Sequence, residues 1–312
     1  MNKPKYVVIH RADPNNVGDM AANPLQYFLK PDDYVVIDIA TLGQKPYPDD
    51  IPIIVGGGGL INNEHFGENL QYALQNPDRL QLDNLWLHNW ELSNPKYKDL
   101  HVDFYHKFKD LLRKTQDQIH SSKTRKAIWG AGHNVQKIEK IDFEKMKYPR
   151  FLKEYDAVGI RDYQPDQAFD YVPCASCMHQ GLRKKYEIKN DIVIIEHKKQ
   201  NLKAGEFGSR PIPRFINSGN NMEQMLELIG TANIVISNSY HGIYWATLMG
   251  KRVLCVGAWS SKFMLYKHKP VYIKSVSEDL DEHIDKATVH EDALEEAVQA
   301  NQKFWAKVQA LR

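Results

Sequence analysis

The densest chemistry in the chain lies in the run NIVISNSYHGIYWATLMGKRVLCV, where an apolar strand ending at Ile236 gives way to the polar turn Ser237-Asn238-Ser239-Tyr240, and His241-Gly242 then opens a helix. Free amides and the positive end of a helix dipole make such a turn an anion site, and they depress the pKa of a nearby imidazole unless a bound anion compensates. The charge of His241 is thereby tied to a ligand, which suits a proton-transfer group better than a structural one. A second candidate, Arg161, closes the strand AVGI and precedes Asp162. Ligands of α/β sheets sit at the carboxyl ends of strands, and a guanidinium there can grip a carboxylate or phosphate through two parallel hydrogen bonds. Its competing use is an ion pair with Asp162 or another nearby acid.

Two further segments carry glycine where a strand should end. Gly56-Gly57-Gly58-Gly59 follows IPIIV, and four successive glycines cost backbone entropy that an inert loop has little reason to bear. Close approach of a ligand or of a packed helix is the expected reason. Without the Lys-Ser/Thr ending of a P-loop or regular G-x-G-x-x-G spacing, neither ATP hydrolysis nor dinucleotide binding follows. Gly130-Ala131-Gly132-His133 after the strand AIW repeats the theme and is expected to line the same cleft. Near the start, Arg11-Ala12-Asp13-Pro14-Asn15-Asn16-Val17-Gly18-Asp19 reads as a tight turn into a helix whose first turn holds Asp19. Amides there can meet an anion or a sugar hydroxyl, although a capped strand-to-helix turn explains the pattern equally well.

The elements that must position these groups read as alternating α/β. Val- and Ile-rich runs at 6–9, 34–39, 51–55, 127–129, 157–160, 192–195, 233–236 and 252–256 are apolar on both faces, as in buried parallel strands. Residues 221–230 place Met222, Met225, Leu226 and Ile229 on one helical face, with Gly230 expected as a cap. Residues 291–312 form a last helix with Leu294, Val298, Trp305, Val308 and Leu311 on one face, free to pack back on the N-terminal half. A length of 312 residues suits two domains, and the polar, aperiodic stretch 178–190 is the expected divide between 1–178 and 190–312.

With 41 Lys+Arg against 39 Asp+Glu and no basic block, nucleic acid is not an expected partner. Hydrophobic residues at 42% and charged residues at 26% are ordinary globular usage, which argues against disorder. The four-residue apolar run near the start is short for a signal peptide, and no run approaches the roughly 18 residues of a membrane span, so a soluble cytoplasmic chain is expected. Three cysteines, Cys174, Cys177 and Cys255, do not make a disulfide framework. Cys174 and Cys177 form a C-x-x-C without the second pair of a zinc site, and packing is their expected role.

In this order, the Asn-x-Gly-Asp turn at 16–19, the glycines at 56–59, the Gly-x-Gly at 130–132, Arg161-Asp162 and the turn NSYHG at 238–242 make the chain resemble the polysaccharide pyruvyl transferase family over nearly its whole length. The resemblance implies a GT-B-like pair of Rossmann-like domains facing a cleft, which transfers pyruvate from phosphoenolpyruvate to a sugar as a cyclic ketal. It implies neither a metal nor a cofactor. His241 matches the family's general acid and Arg161 a donor-binding arginine, with Ser237, Asn238, Ser239 and Gly242 beside the donor. Asn16, Gly18, Asp19, Gly57, Gly58, Gly59, Gly130 and Gly132 would line the opposite face, nearer the acceptor. That acceptor would be a glycan of a cell-surface polysaccharide or its precursor, free or lipid-linked, handled in the cytoplasm or at the inner membrane face.

One departure stands out. The family commonly carries Arg two residues before the histidine, where this chain has Ser239, and a hydroxyl cannot replace a planar five-donor cation. Lys262 or Arg252 is expected to supply the charge. Two other functions fit the same elements: a glycosyltransferase using a nucleotide sugar, with Glu196 as the acid for a ribose, and a non-catalytic carbohydrate-binding protein using Trp86, Trp90, Tyr240, Trp245 or Trp259.

Overall fold

The computed structural model describes residues 4–39, 51–61, 125–136, 138–143, 146, 148–164, 168–200, 202, 212–219, 221–275 and 280–312; Trp86 and Trp90 lie outside them. The fold is α/β with two parallel sheets. The first contains β1 (Tyr6–His10), β2 (Tyr34–Asp38), β3 (Ile53–Ile61), β4 (Lys126–His133), β5 (Ala157–Ile160) and β6 (Asp170–Tyr171), in the order β2-β1-β3-β4-β5-β6. The second contains β7 (Asn190–His197), β8 (Arg214–Asn217), β9 (Ala232–Ser237), β10 (Arg252–Val256) and β11 (Val271–Ile273), in the order β11-β10-β9-β7-β8. Strand periodicity sends alternate side chains to opposite faces. Val7, Ile9, Ile53 and Val55 join one buried cluster, while Tyr6, Val8, Ile54 and Trp129 join another.

The described α-helices are α1 (Val17–Ala21), α2 (Met222–Gly230), α3 (Tyr240–Leu248), α4 (Leu280–Lys286) and α5 (Ala293–Gln309). Every residue of α3 is buried, so it is a central helix rather than an amphipathic covering one. On α2, Met222, Met225, Leu226 and Ile229 are buried as their spacing predicts. Gly230, expected as a cap, is the last helical residue instead. A Cβ there would meet the Tyr186 ring at 2.3 Å, so glycine lets the segment before β7 lie close against α2. That segment also buries Leu182 on α2.

The glycine runs are not loops. β3 continues through Gly56–Gly59 and β4 through Gly130–Gly132, and they pair with each other, Gly56 opposite Trp129 and Gly58 opposite Ala131. The sequence pattern also missed β6, β8 and β11, which have two, four and three residues.

α5 docks on the first sheet through Trp129. The indole Nε1 donates to Asn301 Oδ1 at 2.8 Å, Asn301 Nδ2 donates to the Pro173 carbonyl at 3.1 Å, and Phe304 packs edge-on to the indole. Asn301 is fully buried, so Asn301→Leu strands an indole N–H and a carbonyl. A loss of about 2–3 kcal/mol in chemical denaturation is expected.

Candidate functional site

In each sheet the strand order reverses beside one strand: β1 lies between β2 and β3, and β7 between β8 and β9. Ligands of open parallel sheets bind outside the carboxyl ends at that reversal. Here the segments leaving β1, β7 and β9 meet one another. Lys198, just past β7, donates from Nζ to Asp13 Oδ2 at 2.6 Å, joining the two sheets' loops. Farther along, the backbone N–H of Ser261 donates to the Val135 carbonyl at 2.8 Å, and that of Tyr163 to Leu265 at 2.9 Å.

From the first sheet comes α1. Asn16 caps it, its Oδ1 accepting from the amides of Gly18 at 3.0 Å and Asp19 at 3.3 Å. Gly18 then lies directly on the His241 ring, where an added Cβ would stand 1.9 Å from Nδ1. Gly18→Ala is therefore expected to displace the imidazole and remove activity while α1 still forms, a result that activity and circular dichroism measured together would reveal.

From the second sheet comes the turn before α3, whose side chains are committed to the turn itself. Ser237 Oγ donates to the Ile195 carbonyl at 2.7 Å and accepts from the Ser239 amide at 2.9 Å. Asn238 Oδ1 accepts from the His197 amide at 2.7 Å, and its Nδ2 donates to the Gln200 carbonyl. Ser239 Oγ accepts from Asn217 Nδ2 at 2.9 Å. The expected hydrogen bonds from Ser237 and Asn238 to a donor thus go to the protein instead. Gly242 lets α3 approach the sheet, since a Cβ there would meet Ser237 Oγ at 2.6 Å. His241 is held well below the ordinary imidazole range by burial first, then by Arg161 and Lys262. Its Nε2 lies 3.6 Å from Cys174 Sγ.

Arg161 is 4% exposed, and its guanidinium lies over the Tyr240 ring at 4.2 Å. The anticipated pair with Asp162 does not form. Asp162 Oδ2 instead takes His133 Nδ1 at 2.6 Å and the His133 amide at 2.7 Å. Nε and Nη2 of Arg161 are buried without a hydrogen bond, and the side chain has no ion pair among the described residues. It borders a small pocket walled by Tyr171, Tyr240, Tyr244, Tyr266 and Glu296.

Lys262, in a turn after β10, is half-buried with its ammonium 4.2 Å above the Trp259 ring. Burial and then Arg161 push its pKa down to about 7, against the attraction of Asp19. Asp19 is pushed up to about 6 by burial, opposed first by Lys262. Arg252 does not take this role. It starts β10, three residues before the Cys255 that pairs with Ser237, so it lies about 10 Å toward the wrong end of the sheet.

The glycines divide. Gly59 and Gly132 bring β3 and β4 against Asn134 and Arg161, with added Cβ atoms 2.7 Å from Asn134 Cβ and from Arg161 Nε. Gly57, at φ +81, packs on the Ala22 carbonyl, whereas Gly58, at φ +108, faces open space. Gly130 faces the carbonyls of Val172 and Pro173. The arrangement thus gathers His241, Arg161, Lys262, Asp19 and Gly18, with Gly59 and Gly132 behind Arg161. Glu196 is buried and bound to the Leu202 amide at 2.7 Å and Arg214 Nη1 at 3.2 Å. Trp245 is fully buried in the core. Sequence reasoning passed over His197 and Lys198, which stand at a strand's carboxyl end just as Arg161 does, and Cys174, which only tertiary contact brings to His241. Burial and then Lys262 depress the His197 pKa to about 4.

No family model matches the chain, and no curated protein is detectably similar to it. Among solved structures it is similar to a functionally uncharacterized protein of Klebsiella pneumoniae, with 15% identity over 81% of this chain and 83% of that one and a TM-score of 0.37. It is also similar to a UDP-GlcNAc 2-epimerase of Neisseria meningitidis bound to UDP-GlcNAc, with 8% identity over 98% and 99% and a TM-score of 0.41. Neither likeness carries an argument about function. Among the described residues no group of three or more His, Cys, Asp or Glu converges as a metal site would, and no helix is long and apolar enough to cross a membrane.

Proposed function

We propose that the chain is a transferase with two Rossmann-like domains, 1–178 and 190–312, facing a GT-B-like cleft, and that it moves pyruvate from phosphoenolpyruvate to a glycan as a cyclic ketal. The observation that carries the reading is Arg161, a buried guanidinium with two nitrogens left without a hydrogen bond and no ion pair among the described residues, the nearby Asp162 being bonded to His133. Isolated buried charges are costly, and proteins keep them where a ligand supplies the counter-charge. Phosphoenolpyruvate brings a carboxylate and a phosphate, and Arg161 and Lys262 are two cations to receive them.

With the donor's negative charge beside it, the His241 imidazolium becomes populated. It protonates the methylene carbon of the enol, and the carbon that develops oxocarbenium character accepts a sugar hydroxyl. A second hydroxyl of the same sugar then displaces phosphate to close the ketal. The nucleotide-sugar reading loses its acid, since Glu196 is already occupied by Arg214 and the Leu202 amide. The proposed acceptor is a cell-surface glycan or its precursor on the cytoplasmic side of the membrane.

The test is phosphate release from phosphoenolpyruvate with a panel of free and lipid-linked glycans. Acceptor-dependent release is the expected result. Thermal stabilisation by a nucleotide sugar and not by phosphoenolpyruvate would replace this reading with glycosyl transfer, and glycan binding with no turnover on either donor would leave a binding protein.

A further inference from the structure

The two nitrogens of His241 face different surroundings, and a buried chain of hydrogen bonds distinguishes them. Indole nitrogen can only donate, so the 2.9 Å contact between Trp245 Nε1 and Ser176 Oγ has one direction. Ser176 Oγ, having accepted there, gives its own proton to Cys174 Sγ at 3.2 Å. Cys174 Sγ stands 3.6 Å from His241 Nε2. Trp245, Ser176 and Cys174 are fully buried and His241 is 6% exposed, so bulk water has little access to any link. Burial pushes the Cys174 thiol up, and the sulfur keeps its proton at neutral pH. Having received a hydrogen bond from Ser176, that S–H is free to turn toward the ring.

We infer that Cys174 is a positioning residue: its S–H donates to His241 Nε2 and thereby holds the neutral imidazole as the Nδ1–H tautomer. Nδ1 is the nitrogen against Gly18 and has no hydrogen-bond partner among the described residues. The proton is thus carried on the side where the first sheet's loop meets α3, while Nε2 faces the protein interior. Under the proposed function, to which this step alone is tied, the imidazolium formed on donor binding carries a proton on each nitrogen; the one on Nδ1 goes to the enol carbon, and the one left on Nε2 faces Cys174 Sγ as its acceptor until the ring returns to the resting Nδ1–H form. A small residue at 18 then has two consequences, ring clearance and access to the reactive nitrogen. The C-x-x-C also gains an explanation without disulfide or metal chemistry. Cys177 accepts from the α5 residue Asn301 at 3.3 Å, while Cys174 serves the histidine.

The test is the tautomer of His241, read from nitrogen shifts and long-range nitrogen–carbon-proton couplings in protein labelled with ¹⁵N-histidine. The signal is assigned by its loss in His241→Gln. The expected result is a protonated Nδ1 and a bare Nε2 in the unaltered protein. Cys174→Ala should shift the ring toward Nε2–H or a mixture, and Cys174→Ser should restore Nδ1–H. An Nε2–H ring in the unaltered protein overturns the inference, even if no variant folds. So does an unchanged tautomer in a folded Cys174→Ala. In turnover, Cys174→Ala should lower kcat at least about tenfold with the KM for phosphoenolpyruvate kept, below the roughly 10⁴-fold loss of a wrong-tautomer histidine in a serine-protease triad, and Cys174→Ser should recover most of it. An Nδ1–H ring in a protein that never consumes phosphoenolpyruvate would sink the proposed function and leave the tautomer assignment standing.

Discussion

Arg161→Met is expected to make the ligand-free protein more resistant to heat and to abolish its stabilisation by phosphoenolpyruvate. The guanidinium is removed from water and lies over the Tyr240 ring at 4.2 Å, while the nearby Asp162 spends its Oδ2 on His133. A cation over an aromatic face recovers about 1–2 kcal/mol, less than the several kcal/mol lost in desolvating an unpaired charge. Methionine keeps the apolar stem that packs on Gly132 and adapts to the space left by the head group. A net gain of about 1–3 kcal/mol follows when a buried charge without an ion pair becomes a buried thioether. The same change removes the group that makes the donor stabilising. Phosphoenolpyruvate at 100 times its dissociation constant should add about 2.7 kcal/mol to the unaltered protein and little to the variant. Scanning calorimetry with and without the donor measures both effects. A ligand-free variant that melts lower than the parent would show that Arg161 serves the fold, and the anion site would fall with it.

This opposition between stability and ligand binding explains why part of the site could be read from sequence and part could not. His241 and Lys262 each stand just beyond a strand of a parallel sheet, where position alone marks them. Strands apolar on both faces announce a covered parallel sheet, so eight of them were legible. β8 was not, because RFIN has an exposed Arg214 and Ile216 and lacks the apolar signature. The glycine runs misled for a related reason. Glycine disfavours strands in general, yet here two glycine-bearing strands lie side by side, and the missing Cβ atoms make room for Trp129 backbone, Asn134 and Arg161. The solitude of Arg161 was hidden by its neighbour in sequence. Asp162 looked like its partner, but consecutive residues at a strand end diverge, and Asp162 binds His133. Cys174 lies 67 residues from His241, and no local pattern connects them.

His241→Gln is expected to lower turnover by about 10²- to 10⁴-fold, the usual contribution of a positioned acid, with donor affinity largely kept. Its companion measurement is the proton balance of donor binding. In the free protein near pH 7 the imidazole is neutral, Lys262 with a pKa of about 7 is half-protonated, and Asp19 at about 6 is mostly ionised. An anion placed among them favours the protonated form of all three, so binding must take protons from solution. The observed heat should therefore vary with the ionisation enthalpy of the buffer, and the uptake should shrink in His241→Gln. The pH profile has a corresponding sign. From pH 7 to 9 the donor phosphate is already dianionic, and the active species needs a protonated His241 whose free pKa lies far lower, so log kcat/KM should fall with pH. Above about 7 the fall should steepen as Lys262 loses its charge, and Lys262→Met should remove that second bend while the first slope persists. A profile that is flat across this range in the unaltered protein would exclude the imidazolium as the acid, and proton release on donor binding would exclude an anion seated between Arg161 and Lys262.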